Sequence, residues 1–114
     1  MITVYLISSN IDNSVCYKIG YTRRDPKLRI KEMKIGNASD LNVVKSFKSK
    51  WGTQIEAKLH NIFKDKKING EWFNLENNDI VSFKSLCEKI HNNYELLSEE
   101  NSFFQQTNLF KRFN

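Results

Sequence analysis

Apolar and polar positions alternate with a period of two at the start of the chain and pass to helical spacing further on. Residues 2 to 8 and 15 to 22 are β-branched and aromatic. Between them Ser9-Asn10-Ile11-Asp12-Asn13-Ser14 is dense in turn formers, which predicts a β-hairpin. Side chains alternate across a strand, so Val4 and Leu6 share one face, and Tyr17, Ile19 and Tyr21 share one on the second strand; these are the expected core positions. By the same parity Tyr5, Lys18, Gly20 and Thr22 point the other way. They predict a polar face in which Gly20 leaves room for a ligand to approach the backbone.

Asp25-Pro26 is a helix start, with Asp as N-cap and Pro at the first helical position, and Gly36-Asn37 is the expected stop. Leu41 to Lys48 reads as a third strand with mixed alternation. In residues 53 to 64, Ile55, Leu59, Ile62 and Phe63 fall on one helical face, with Glu56 and His60 four apart beside it. Gly70-Glu71-Trp72-Phe73-Asn74-Leu75 reads as a short extended segment. From about 77 to 98, Ile80, Phe83, Cys87, Ile90, Tyr94 and Leu97 recur at spacings of three and four. That seam either lies across the domain's own core or joins two copies in a homodimer. The tail carries Phe103, Phe104, Phe110 and Phe113 beside Lys111-Arg112 and is too aromatic for a plain solvated terminus. The order of elements predicts an α+β fold, a small antiparallel sheet opening with a hairpin and flanked by helices.

Composition narrows the function classes. A chain of 114 residues suits one domain, with a core over 1–76 and a helix and tail over 77–114. No apolar run approaches the roughly 20 residues of a membrane span. The first residues run straight into a strand pattern with no secretory signal, so a soluble, cytoplasmic protein is expected, in a bacterium or a phage-infected cell. Cys16 and Cys87 have no metal-binding spacing and are expected as buried thiols; His60 and His91 lack His or Cys partners, which argues against a pre-built zinc site. The net charge of +5 is uneven. Residues 1 to 67 carry 14 Lys and Arg against 6 Asp and Glu, and residues 68 to 114 carry 4 against 7. A basic first part attracts a polyanion such as DNA.

The ordered set Val4-Tyr5-Leu6-Ile7, Tyr17-Lys18-Ile19-Gly20-Tyr21-Thr22, Arg29, Glu56-Ala57-Lys58-Leu59-His60 and Gly70-Glu71-Trp72-Phe73 resembles the GIY-YIG endonucleases, in particular a variant phage-type branch. The resemblance covers roughly residues 2 to 75. It implies a divalent-metal-dependent endonuclease acting on DNA phosphodiester bonds, with Tyr5, Arg29 and Glu56 in its active site and Glu56 holding Mg²⁺ or Mn²⁺. In those roles Arg29 clamps the scissile phosphate and Tyr5 orients or deprotonates the water.

Lys18 stands where the family's second tyrosine is usual. Its expected part is catalytic, through the pKa of Tyr5 or the leaving group, or else phosphate binding. The family's distal asparagine has only Asn69 and Asn74 as approximate counterparts. His60 is expected to assist proton transfer beside Glu56 or to border the apolar face. Glu71 and Trp72 are expected to serve the fold, with Trp72 in the core and Glu71 as a potential second carboxylate. Arg23, Arg24, Lys27 and Lys31 are the expected DNA contacts. The alternative is a catalytically inactive DNA-binding module of the same fold. A third reading is a protein-interaction module using the last helix and tail.

Overall fold

A computed structural model describes residues 1–35 and 41–107. The hairpin forms from β1 (Ile2–Ile11) and β2 (Ser14–Thr22), longer than the turn-forming residues suggest. Its turn is Asp12-Asn13 alone, both at positive φ (50° and 65°). A tight turn of that hand matches the right-handed twist of the strands, and Asp and Asn tolerate the conformation at low cost. Ser9 and Asn10 are therefore free to pair, with Cys16 and Val15.

The remaining elements are α1 (Pro26–Ile35), β3 (Leu41–Ser49), α2 (Gly52–Ile62), β4 (Lys67–Asn69), β5 (Trp72–Phe73), α3 (Asn77–Val81) and α4 (Phe83–Thr107). The sheet order is β3-β1-β2-β5-β4, and all four pairings are antiparallel. The expected α+β class with a small antiparallel sheet and flanking helices is the class observed. Asp25 caps α1 as its sequence predicts, its Oδ1 accepting the Lys27 amide at 2.9 Å. The Gly36-Asn37 stop lies outside the described residues, as does the tail beyond residue 107.

One face of the sheet packs against α2 and α4. Val4, Leu6, Ile19, Ile55, Leu59, Phe73, Phe83 and Cys87 form its core; fully burying a side chain of the larger kinds contributes about 1.5–3 kcal/mol. The opposite face was expected to be polar, and the structure corrects this: Tyr5, Ile7 and Leu41 make a second small cluster there, with Ile30 of α1, Val43 and Trp72 against it. Trp72 thus serves this cluster, and Phe73 takes the place in the main core. The mixed alternation of β3 has a local cause. The β1–β3 register slips between Leu6 and Ile7, and across that bulge Val43 joins the second cluster while Val44 packs on the first.

Two further expectations are revised. Tyr21 is 40% exposed although its parity is that of Ile19. Its ring lies under Arg23 at 5.9 Å and lines a surface cleft, so it does not enter the core. The helix expected over 77–98 is two helices broken at Ser82, whose amide is held by the Asn78 carbonyl. Phe83, Cys87 and Ile90 of α4 are buried in the chain's own core. Ser49, fully buried, ties α4 to the sheet: its Oγ accepts the Trp51 amide at 2.9 Å and lies 2.7 Å from His91 Nδ1. Both cysteines are free and buried.

Candidate active site

Tyr5 is the centre of the second face. Its ring is 1% exposed and lies across Gly20, the residue directly opposite on β2. A Cβ at position 20 would fall 2.6 Å from Tyr5 Cζ and 2.9 Å from Cε1. The gap expected above Gly20 for a ligand is therefore filled by the protein's own tyrosine. Glycine there admits the phenol, and Arg29 of α1 lines the same cleft as Tyr5. The Tyr5 pKa is raised above its ordinary 10.0 because burial disfavours the phenolate; Arg29 opposes this, and the charges of Glu71 and Glu56 reinforce it. Lys18 is not among the groups that shift it.

The carboxylates Glu71 and Glu56 stand at the edge of the sheet. Because β5 is only two residues long, the outer edge of β2 beyond it bonds to other groups: the Ile19 amide donates to the Glu71 carbonyl at 3.1 Å. The Ile19 carbonyl accepts the Nε2 proton of His60 at 2.9 Å. One turn earlier on α2, Glu56 Oε2 lies 3.3 Å from the same His60 nitrogen. Phe73 meets the imidazole edge-on at 4.8 Å. The His60 Nε2 proton goes to the Ile19 carbonyl, which anchors α2 to the strand edge, and the Glu56 carboxylate stands beside the same nitrogen. Burial raises the Glu56 pKa; His60 works against this, Glu71 adds to it by like charge, and Lys67 lowers it.

Lys18 lies on the Tyr5 face, as parity predicts, and its Nζ is 3.6 Å from Glu71 Oε1. Arg24 and Arg29 grip the two oxygens of one carboxylate, Glu32: Arg24 Nη2 is 2.6 Å from Oε2 and Arg29 Nη1 is 3.4 Å from Oε1. Those two cations hold the Glu32 carboxyl below its usual range. Two oxygens held by two guanidinium groups is also the way a phosphate is held. Arg23 is exposed and sits 5.9 Å over the Tyr21 ring. Lys27 and Lys31 are exposed on α1.

A cleft of about 560 Å³ on this face is lined by Tyr5, Arg29, Arg23, Arg24, Tyr21 and Glu71, among others. The structure brings Tyr5 and Arg29 together in this cleft; Lys18 lies on the same face paired with Glu71, and Glu56 and His60 stand at the β2 edge. Sequence reasoning undervalued Glu71, whose signal was its place in the Gly70-Glu71-Trp72-Phe73 segment. It missed Glu32, which had no signal beyond lying three residues after Arg29. Asn69 and Asn74 are exposed and do not line this cleft.

No group of three or more His, Cys, Asp or Glu side chains suited to a metal ion occurs among the described residues. The carboxylate that lines the cleft is Glu71, and the charges of Glu71 and Glu56 both oppose ionisation of Tyr5. No helix among the described residues is long and apolar enough to cross a membrane.

Fold and site together define an α+β domain with an arginine-rich cleft built around one buried tyrosine. The chain belongs to the T5orf172 domain family, whose model matches residues 2–88. No curated protein and no solved structure matches it.

Proposed function

We propose that this chain is a divalent-metal-dependent endonuclease of the GIY-YIG kind, hydrolysing DNA phosphodiester bonds. The observation that carries the reading is the meeting of Tyr5 from β1, Arg29 from α1 and Glu71 in one cleft, with Glu56 held beside His60 at the β2 edge. Membership of the T5orf172 domain family supports a DNA-related role. So does the basic character of residues 1 to 67.

Arg29 and Arg24 bind the scissile phosphate in place of the Glu32 carboxylate and stabilise charge on its oxygens as water attacks. The raised Tyr5 pKa suits a phenol that stays protonated and orients the attacking water through its hydroxyl, better than one that acts as the base. Lys18 balances Glu71 and holds it at the cleft. His60 is a positioning residue for Glu56.

The donor set fits Mg²⁺ or Mn²⁺. Glu56 is a largely buried carboxylate whose charged form is disfavoured by burial and by Glu71, and a hard cation relieves both. Such ions accept one or two carboxylates when water and phosphate supply the remaining oxygens. When bound, the ion supplies Lewis-acid polarisation of the phosphate.

The test is a plasmid-nicking assay on wild type, Glu56→Ala and Tyr5→Phe, with Mg²⁺ and with EDTA. Nicking that requires the metal, Glu56 and the Tyr5 hydroxyl is expected; metal-dependent nicking by Glu56→Ala at the wild-type rate overturns the reading.

A second reading, a DNA-binding module without catalysis, is favoured by the burial that keeps the Tyr5 pKa raised even against Arg29 and by the pairing of Lys18 with Glu71. It predicts salt-sensitive binding with no cleavage under any divalent metal.

A further inference from the structure

Two adjacent rows of side chains cross the sheet on the Tyr5 face. One is Ser46, Tyr5 and Gly20; the next is Lys48, Thr3 and Thr22. The first row leads into the cleft just described. The second opens into a separate cleft of about 570 Å³, lined by Thr3, Ser46, Lys48, Arg23, Arg24 and Asp25 among others. Arg23 and Arg24 line both clefts and form the ridge between them. The ridge is fixed to the sheet by the Arg24 amide, which donates to Thr22 Oγ1 at 3.1 Å.

We propose that this second cleft binds another phosphate of the same DNA strand, with Lys48 as its principal cation and Ser46 and Thr3 as hydroxyl donors. The proposal rests on the DNA-cutting reading, and extends it from one phosphate to a track that crosses three strands. Its chemistry differs from that of the first cleft. The acid lining it is Asp25, whose Oδ1 already accepts the Lys27 amide at the start of α1. Lys48 is exposed and forms no ion pair among the described residues. Arg24 and Arg29, by contrast, are already held by Glu32.

The spacing suits a sugar-phosphate backbone. Tyr5 pairs with Ser46, so Lys48 is its diagonal neighbour, at roughly 7–8 Å between such positions. Consecutive phosphates of one strand are separated by more than their axial rise of about 3.4 Å, because they also wind around the axis. The two stations are therefore on the scale of neighbouring phosphates, and Arg24, which lines both clefts, can serve either. The bland role for Lys48 is protection of β3, an edge strand, against pairing with another chain. That role concerns association of the protein and leaves no mark on the salt dependence of DNA binding.

The experiment measures binding of a fluorescent DNA oligonucleotide over a range of salt, in Ca²⁺ to suppress cleavage, for wild type, Lys48→Ala and Lys58→Ala. Lys58 is an exposed lysine on α2, outside both clefts, and controls for net charge. Loss of one phosphate contact lowers the slope of log affinity against log salt by about 0.7–0.9. Between 50 and 200 mM salt the affinity of Lys48→Ala should then fall roughly three- to fourfold less than that of wild type. Lys58→Ala should keep the wild-type slope. Circular dichroism of each variant reports retained folding. Wild-type binding with equal slopes for Lys48→Ala and Lys58→Ala overturns the second site and leaves the first reading standing. Wild type that does not bind in a salt-sensitive way overturns the DNA reading itself, and the track with it.

Discussion

Replacing Gly20 with alanine should damage this protein out of proportion to the one methyl group it adds. The new Cβ would stand 2.6 Å from Tyr5 Cζ, where carbon atoms normally rest about 3.5–4.0 Å apart. Something must move by about 1 Å. The ring is 1% exposed and packed with Ile7 and Leu41, and Gly20 lies on β2 between β1 and the Glu71 carbonyl contact, so neither side yields freely. Overpacking of this kind costs about 1–3 kcal/mol. Alanine recovers roughly 0.5–1 kcal/mol of the conformational penalty of a glycine within a strand, leaving a net loss of about 1–2 kcal/mol. At this chain length that lowers Tm by about 4–8 °C.

The assay is urea denaturation of wild type, Gly20→Ala, Tyr5→Leu and the double variant. Leucine lacks the atoms that meet the new Cβ, so Gly20→Ala should be neutral or stabilising in the Tyr5→Leu background. A coupling near 2 kcal/mol of compensating sign is expected, above the roughly 0.5 kcal/mol scatter of independent sites. Additive effects, or a Gly20→Ala variant as stable as wild type, would refute the account of Gly20 as the seat of the Tyr5 ring.

Three other outcomes follow from single contacts. Glu56 has a pKa raised above 4.5 in the fold, chiefly by burial. The native state then holds this proton more tightly than the unfolded one, so the stabilising contribution is present at low pH and is lost as pH rises from about 4.5 through the raised value. Glu56→Gln should match wild type in thermal melts near pH 4 and exceed it increasingly toward pH 7, and millimolar Mg²⁺ should raise the wild-type Tm alone; a pH-independent difference sinks this reasoning. Glu32→Gln frees Arg24 and Arg29 from a competing carboxylate, so DNA affinity by fluorescence anisotropy should rise several-fold, and unchanged or weaker binding counts against the phosphate-like role of Glu32. Ser49→Ala strands the Trp51 amide and His91 Nδ1 at a cost of about 1–3 kcal/mol, read by denaturant melts; a smaller loss means the α4 anchor lies elsewhere.

Much of the site was legible because its spacing is local. Strand parity put Tyr5, Lys18 and Gly20 on one face, and the register Tyr5 opposite Gly20 bears this out. Helical spacing put Glu56 beside His60, and they lie 3.3 Å apart. The Asp25-Pro26 start of α1 sets the turn that carries Arg29. Partner identities at long range were another matter. Nothing near Lys18 in sequence names Glu71, and nothing near His60 names the carbonyl of Ile19.

Periodicity is a property of the chain and was sufficient for the hairpin, α2 and the main-core residues Val4, Leu6, Ile19, Ile55 and Leu59. It says which way a side chain points and leaves open what it meets there. Only the tertiary structure decided that the space above Gly20 belongs to Tyr5, because α1 folds over that face and Ile30 packs beside the ring. The shortness of β5, which leaves the edge of β2 to His60 and Glu71, decided where the carboxylates stand. Burial did the rest. The environment of a titrating group is the sum of everything packed around it, so the raised pKa values of Tyr5 and Glu56 appear only once the layers have closed.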